Sequence, residues 1–372
     1  MGDGDENAAS DDRVHGASAR TVRAALDSGD PLPGTRGFAG ELDGRLVRDV
    51  LGRVPLFAET DDHRSWALDH RELDSPERLQ AGYLRTGAGD ERAWTLPDPP
   101  VFEDDSAAVD AVETAVRESL DAVDPDGLAV AFSGGVDSAA VAAALNAPLY
   151  VAGFPDSHDV EAAQRAADLL GEDLRVIELD HADLEQAVPG VAAATGRTNA
   201  MDVQITLPLY LVAERAAADG YDALAVGQGA DELFGGYAKV AHAPEDPRVE
   251  ADTVRGARRE MIGTLPDQLE RDVLALREAG VRPVAPLLDD RVVSAALRLP
   301  GEMLVTERGD RKWTLRRAVR PWVPDAVAFR EKKAVQYGSL VARELDRLAR
   351  QDGFKRRMDD HVTQYVESLI DE

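Results

Sequence analysis

The chain has 372 residues, 44% of them apolar, which is enough for packed cores in roughly two or three structural units. Its 70 Asp and Glu against 42 Lys and Arg give a net charge of −28, and such an acidic chain argues against nonspecific nucleic-acid binding, which relies on basic surface. Cysteine is absent, which excludes disulfides, thiolate metal sites and a cysteine nucleophile. No apolar run approaches the length of a membrane span, and the acidic start MGDGDENAASDDR is unlike a secretory leader, so a cytoplasmic protein is expected.

Five of the basic residues are lysines: Lys239, Lys312, Lys332, Lys333 and Lys355. An acidic, lysine-poor surface fits a halophilic protein, because at about 1 M salt the Debye length is roughly 3 Å and carboxylate repulsion is largely screened. Folding and activity are expected to need molar KCl or NaCl.

Residues 1–35 read as an acidic, largely disordered segment with a short helical pattern at TVRAALDSG. Residues 36–100 alternate short apolar runs with Gly, Asp and Pro breaks, the pattern of a small β-rich unit, and the proline-rich LPDPPVFEDD (96–105) reads as its linker. Residues 101–345 change to an α/β pattern. SAAVDAVETAVRESLDAV has helical periodicity, and GLAVAF (127–132) is a fully apolar strand, followed by the helix SAAVAAALN. PLYVAGF and LRVIELD are further strands around the helix DVEAAQRAADLLG, which ends at Gly171. The helix TLPLYLVAERAAADG leads into a fourth strand, DALAVG (222–227). Strands alternating with helices predict parallel βαβ units in a doubly wound sheet. The chain beyond about 250 is mostly helical, and the amphipathic tail 346–372 reads as core packing or a homodimer contact. The seven histidines show no metal-ligand spacing.

Two glycine-rich turns carry chemistry. In LAVAF-SGGVDS-AAVAAAL, Gly134 and Gly135 let backbone N–H groups approach an anion, the helix behind adds a partial positive charge, and Ser133 and Ser138 offer hydroxyls to phosphate. Asp137 cannot face a phosphate directly and is expected to hold Mg²⁺. The loop lacks the lysine of a Walker motif, which suits the pyrophosphate released when an acid is adenylated. The fourth strand runs into VGQGADELFGGY (226–237), where Asp231 is placed to reach the same Mg²⁺.

SGGVDS followed by GADELFGGY resembles the synthetase domain of the asparagine synthetases. Supporting stretches are GFPDSHDVEAAQRAADLLG, similar to the family's strand and helix beside adenine, RPVAPLLDDRVVSAALRLP, and KWTLRRAVRPWVPDAVAFREKK; the resemblance covers roughly 105–340. It implies a sheet of the PP-loop ATP pyrophosphatase type that binds ATP and Mg²⁺, adenylates the side chain of aspartate and lets ammonia displace AMP. Asp137 and Asp231 fall on the family's magnesium positions, and Ser133, Gly134, Gly135, Ser138, Gly153, Gly227 and Gln228 on its nucleotide site. Lys332, in the Arg-x-Lys spacing after Arg330, falls on the lysine that meets charge between carboxylate and α-phosphate, with Lys333 the alternative one residue along. The β-lactam synthetases carry a similar Arg-x-Lys.

Two departures stand against the resemblance. The family's Ser-Gly-Glu-Gly loop supplies the proposed proton acceptor, but here the sequence is Val226-Gly227-Gln228-Gly229, and glutamine is no general base near pH 7. Glu232 is the nearest carboxylate in sequence that could replace it. The family's glutaminase domain begins with a catalytic cysteine, and position 2 here is Gly2. RDVLGRVPLFAE and PERLQAGYLRTGAGDERAWTLP still resemble the end of that domain, so 36–100 is expected to be a truncated, inactive relic. The nitrogen is then expected from free ammonia or a partner glutaminase. The alternatives are a non-catalytic nucleotide-binding or regulatory member of the family, and a PP-loop enzyme acting on tRNA or sulfate, which the acidic composition disfavours.

Overall fold

The computed structural model describes residues 12–155, 157–243, 245–330 and 339–370, and the chain divides into two units, Met1–Pro97 and Asp98–Glu372. The first unit holds β1 (Arg13–His15), α1 (Ala19–Ser28), β2 (Ala39–Leu42), β3 (Arg45–Arg48), β4 (Phe57–Glu59), β5 (Asp62–Ala67), β6 (Pro76–Arg78), β7 (Tyr83–Thr86) and β8 (Gly89–Arg92). They form two antiparallel sheets, ordered β1-β2-β3-β7-β8 and β5-β4-β6, the β-rich character expected from the sequence. The hairpin between β2 and β3 turns on Asp43 and Gly44, both at positive φ (50° and 73°), which is the Asp-Gly chemistry such a turn demands. Arg48 is fully buried and donates to the carbonyls of Val54, Leu79 and Gly52, so it fastens the loop after β3 from inside.

The N-terminal segment differs from its expected disorder. From residue 12 onward it is folded, with β1 paired to β2 and α1 burying Val22 and Ala25 against Phe38, Val47 and Trp94. The short helical pattern expected at TVRAALDSG is α1: Ser18 caps the first turn by accepting from Thr21 N at 3.1 Å, and Gly29 ends the helix in the left-handed conformation.

The second unit continues with α2 (Asp105–Asp121), β9 (Leu128–Ala131), α3 (Val136–Ala142), β10 (Leu149–Gly153), α4 (His158–Leu170), β11 (Leu174–Glu178), α5 (His181–Thr195), α6 (Ala200–Ala218) and β12 (Ala223–Ala225). Then come α7 (Ala230–Leu233), α8 (Ala238–Ala241), α9 (Val254–Ile262), α10 (Leu265–Glu278), β13 (Arg282–Val284), α11 (Asp290–Leu297), α12 (Gly301–Leu304), α13 (Trp313–Ala318), α14 (Asp325–Ala328), α15 (Ser339–Gln351) and α16 (His361–Ile370). The four predicted strands are present and a fifth, β13, joins them in one parallel sheet ordered β11-β10-β9-β12-β13. β13 is three residues long and contains Pro283, so neither length nor periodicity announces it.

In this order the chain first steps from β9 toward one edge and then returns to place β12 on the other side of β9. The direction of winding therefore reverses between β9 and β12, and in open α/β sheets ligands bind outside the carboxyl ends of the strands at such a point. One core joins these strands to α5, α6, α15 and α16, with Leu184, Val203, Leu207, Leu345 and Val366 fully buried. The boundary expected at 345/346 falls inside α15, because Val341, Leu345 and Leu348 repeat at helical spacing and dock on this core. The tail is thus a packed element, tied to α5 by Tyr365 Oη donating to Glu185 Oε1 at 2.7 Å.

Candidate active site

The loop after β9 is cross-braced by its own hydroxyls. Ser133 N donates to Ser138 Oγ at 3.2 Å, the two serine hydroxyls lie 3.2 Å apart, and Ser138 Oγ reaches Gly135 O at 3.2 Å. Gly134 turns at φ 69° and packs so closely on α4 that a Cβ would lie 2.8 Å from Ala163 Cα. Gly135 starts α3, and no side chain caps that first turn, so its N–H groups remain available to an anion.

The loop after β12 comes against it directly. A Cβ on Gly227 would lie 2.9 Å from Asp137 Cβ and 3.0 Å from Ser138 N, so this close approach admits only glycine. Asp231 lies in the first turn of α7, whose backbone is held from behind by buried Arg258 donating to Leu233 O and Ala296 O at 3.4 and 2.6 Å.

The two acidic side chains meet on one cation. Lys312 Nζ is paired with Asp137 Oδ2 and lies 2.8 Å from Asp231 Oδ1. Lys312 is 4% exposed and sits at φ 59°, just before α13. Burial by itself would lower its pKa, but the charges of Asp137 and Asp231 outweigh that and raise it, so the ammonium stays charged. The other carboxylate oxygen of Asp137, Oδ1, is buried without a hydrogen-bond partner among the described residues.

Around this triad the cleft is basic, lined by Gly135, Asp137, Gly236, Arg311, Lys312, Arg316 and Arg330. Arg311 donates to Gly236 O, Arg316 to the carbonyls of Arg311, Ala328 and Arg330, and Arg330 to Ala162 O. None of the three guanidiniums forms an ion pair among the described residues, so carbonyl groups aim them without neutralising them. Burial lowers the pKa of both Arg316 and Arg330.

The remaining expected residues are placed as follows. Gly153 closes β10, the strand beside β9, and packs on α4. Gln228 follows Gly227, and its Nε2 donates to Asp272 Oδ2 on α10. Glu232 is 4% exposed and accepts from Tyr237 Oη; burial raises its pKa. Lys332 and Lys333 lie outside the described residues. Sequence reasoning missed Lys312, Arg311, Arg316 and Asp272. One available signal was lysine scarcity, which singled out 332–333 and applies equally to Lys312.

Known proteins share this chain's features. A family model described as asparagine synthase matches residues 108–284 and 245–369. A Methanocaldococcus jannaschii protein provisionally named glutamine-hydrolyzing asparagine synthetase 1 is 30% identical over 283 residues, 66% of this chain and 52% of the relative. Escherichia coli asparagine synthetase B, also named as glutamine-hydrolyzing, is 25% identical over 347 residues, 83% of this chain and 62% of the relative. The glutamine-hydrolyzing nodule asparagine synthetase of Pisum sativum is 25% identical over 369 residues, 86% of this chain and 58% of the relative. The match thus spans about half to three-fifths of these relatives' lengths. With the family model covering most of the second unit and both glycine-rich acidic turns meeting at the switch point of its sheet, the chain belongs to the asparagine synthase family.

Proposed function

We propose that the chain is an ATP-dependent, amide-forming ligase. It adenylates a carboxylate, aspartate being the leading candidate, releases pyrophosphate, and then lets ammonia displace AMP. The observation that carries this reading is the convergence of Asp137 and Asp231, from the loops after two adjacent strands, on one buried cation. Next to it stand an uncapped helix start and three guanidiniums without carboxylate partners among the described residues, an unusual concentration of positive charge for a chain of net charge −28. Such a cleft suits a polyphosphate.

The residues present fit a magnesium ion. Asp137 keeps a buried oxygen without a partner among the described residues, and the Lys312 ammonium marks a point where both carboxylates stabilise a cation. Two carboxylates plus substrate phosphates form an ordinary Mg²⁺ set, so Asp137 and Asp231 would hold the ion, which when bound would neutralise charge on the phosphates. With the ion on those carboxylates, Lys312 would be released from them to offset phosphate charge. Ser133, Ser138 and the amides of Gly134 and Gly135 hold the departing pyrophosphate, and Arg311, Arg316 and Arg330 offset its charge. Gly153 and Gly227 border the nucleotide. Lys332, or Lys333 one residue along, meets the charge that builds between carboxylate and α-phosphate. Glu232 is the nearest carboxylate in sequence that could take the nucleophile's proton, and its Oε1 accepts from Tyr237 Oη. The nitrogen comes from free ammonia or a partner glutaminase.

The second reading is a nucleotide-binding member without ligase chemistry, and Gln228 at the family's glutamate position is the observation in its favour. Exchange of labelled pyrophosphate into ATP, scanned over amino acids in molar KCl, separates the two. A ligase gives acid-dependent exchange, whereas a binding protein retains ATP without exchange.

A further inference from the structure

The face that α2 and α11 present to solvent lies within the second unit and carries none of the residues that line the cleft. The two helices run antiparallel. Phe102 N, just ahead of α2, donates to Arg298 O at the end of α11 at 2.9 Å, while Glu118 near the end of α2 lies 4.0 Å from Arg291 at the start of α11. Two polar rows line the trough between them. α2 contributes Asp110, Thr114 and Glu118, and α11 contributes Arg291, Ser294 and Arg298. Spacings of eight and seven residues make these rows about 12 Å and about 10 Å long. The floor is alanine, Ala111, Ala115 and Ala295, so nothing larger than a methyl group rises between the rows.

The charges on these rows are largely unspent within the chain. Neither Asp110 nor Arg298 forms an ion pair among the described residues. The Arg298 guanidinium is held 4.1 Å from the centre of the Phe102 ring, with Nε donating to Pro100 O at 3.4 Å. Glu118 reaches Arg291 only at 4.0 Å, a separation at which an exposed pair contributes little, and Arg291 leans on Asp289 at 3.2 Å instead. One row is thus acid, hydroxyl, acid, and the other base, hydroxyl, base.

Opposite charge on two antiparallel rows of similar length is a self-complementary pattern. A two-fold axis parallel to the helices carries each α2 onto α11 of a second copy. Asp110 then stands opposite Arg298, Thr114 opposite Ser294, and Glu118 opposite Arg291. The axis at right angles would set α2 on α2 and acid on acid.

We propose that this face is a homodimer interface, in which α2 and α11 of one copy seat on α11 and α2 of the other. The ion pairs across it set the register, and the alanine floor with small hydroxyls at its centre allows the approach of packed helices, about 8 to 10 Å between axes. Two chains of net charge −28 repel at long range, so pairing is expected in molar KCl, where that repulsion is screened while charges in contact across an interface keep more of their attraction. The inference is independent of the ligase reading.

Sedimentation equilibrium of the full chain tests it, in about 1 M KCl and at up to about 100 μM. The parent is expected to dimerise. Asp110, Ser294 and Arg298 are exposed, so their substitution leaves the core intact. Ser294→Trp, which puts a bulky ring at the two-fold axis, is expected to be monomeric. Asp110→Arg and Arg298→Glu each set like charges opposite one another twice and are expected to raise the dimer Kd about a hundredfold or more. Mixed in equal amounts, these two charge variants are expected to pair with each other, because each offers the charge that the other lacks; misfolded chains would show no such rescue. A monomeric parent overturns the proposal. So does a dimer that survives Ser294→Trp or either charge reversal, or a mixture that stays monomeric.

Discussion

Replacing Lys312 with methionine keeps the stem and removes the charge that Asp137 and Asp231 share. Both carboxylate oxygens lie within bonding reach of one nitrogen, so they are at most about 5 to 6 Å apart. Two unit charges at about 5 Å interact by roughly 3 kcal/mol at an effective dielectric of about 20. Breaking a buried pair by removing one partner costs about 3 to 5 kcal/mol, in the same range. For a unit of this size each kcal/mol corresponds to about 2 to 4 °C in Tm, so Lys312→Met should melt roughly 10 °C below the parent in KCl with EDTA. Added MgCl₂ should recover much of that loss, because a bound cation replaces the missing one, and should stabilise Lys312→Met more than the parent. Differential scanning calorimetry reads both effects without any catalytic assay. A variant melting with the parent in EDTA, or gaining no more than the parent from magnesium, would refute the shared-cation geometry.

The acidic composition predicts that the urea midpoint and activity both fall as KCl is lowered from about 3 M to about 0.1 M, where the Debye length grows to about 10 Å; a midpoint independent of salt contradicts this. Burial raises the Glu232 carboxyl above its ordinary 4.5, so its protonated form favours the fold below that value and the contribution is lost as pH rises through the raised one. Glu232→Gln should therefore gain stability relative to the parent as pH rises above 4.5, and an offset in urea midpoint that stays constant with pH would contradict the sign. Lys332→Ala should lose adenylation by several kcal/mol of transition-state stabilisation while Lys333→Ala costs little, as read by pyrophosphate exchange; the reverse result moves the role by one residue.

Much of the second unit was legible because its signals are local. LAVAF is apolar and bounded by glycines, and Gly171 ends α4 as the sequence indicates. Asp137 and Asp231 were readable as candidate ligands because each follows a strand through a glycine turn. The element that joins them was not readable, since Lys312 is 175 residues from Asp137 and its left-handed backbone has no compositional mark. Asp272 carries no local signal in the sequence, and only the placement of α10 beside the loop after β12 makes it a partner of Gln228. The helical pattern of α1 was legible, but the pairing of β1 with β2 was not, because the acidic composition around it reads as disorder and the pairing is long-range.

The central claim is that Asp137 and Asp231 together serve one metal–nucleotide complex that activates a carboxylate. Magnesium-dependent ATP–pyrophosphate exchange in about 3 M KCl, compared for the parent, Asp137→Asn and Asp231→Asn, tests it most directly. The account predicts aspartate-stimulated exchange in the parent and its loss, by about a hundredfold or more, in each variant. Exchange that survives in either variant, or that no carboxylate stimulates in the parent, would contradict it.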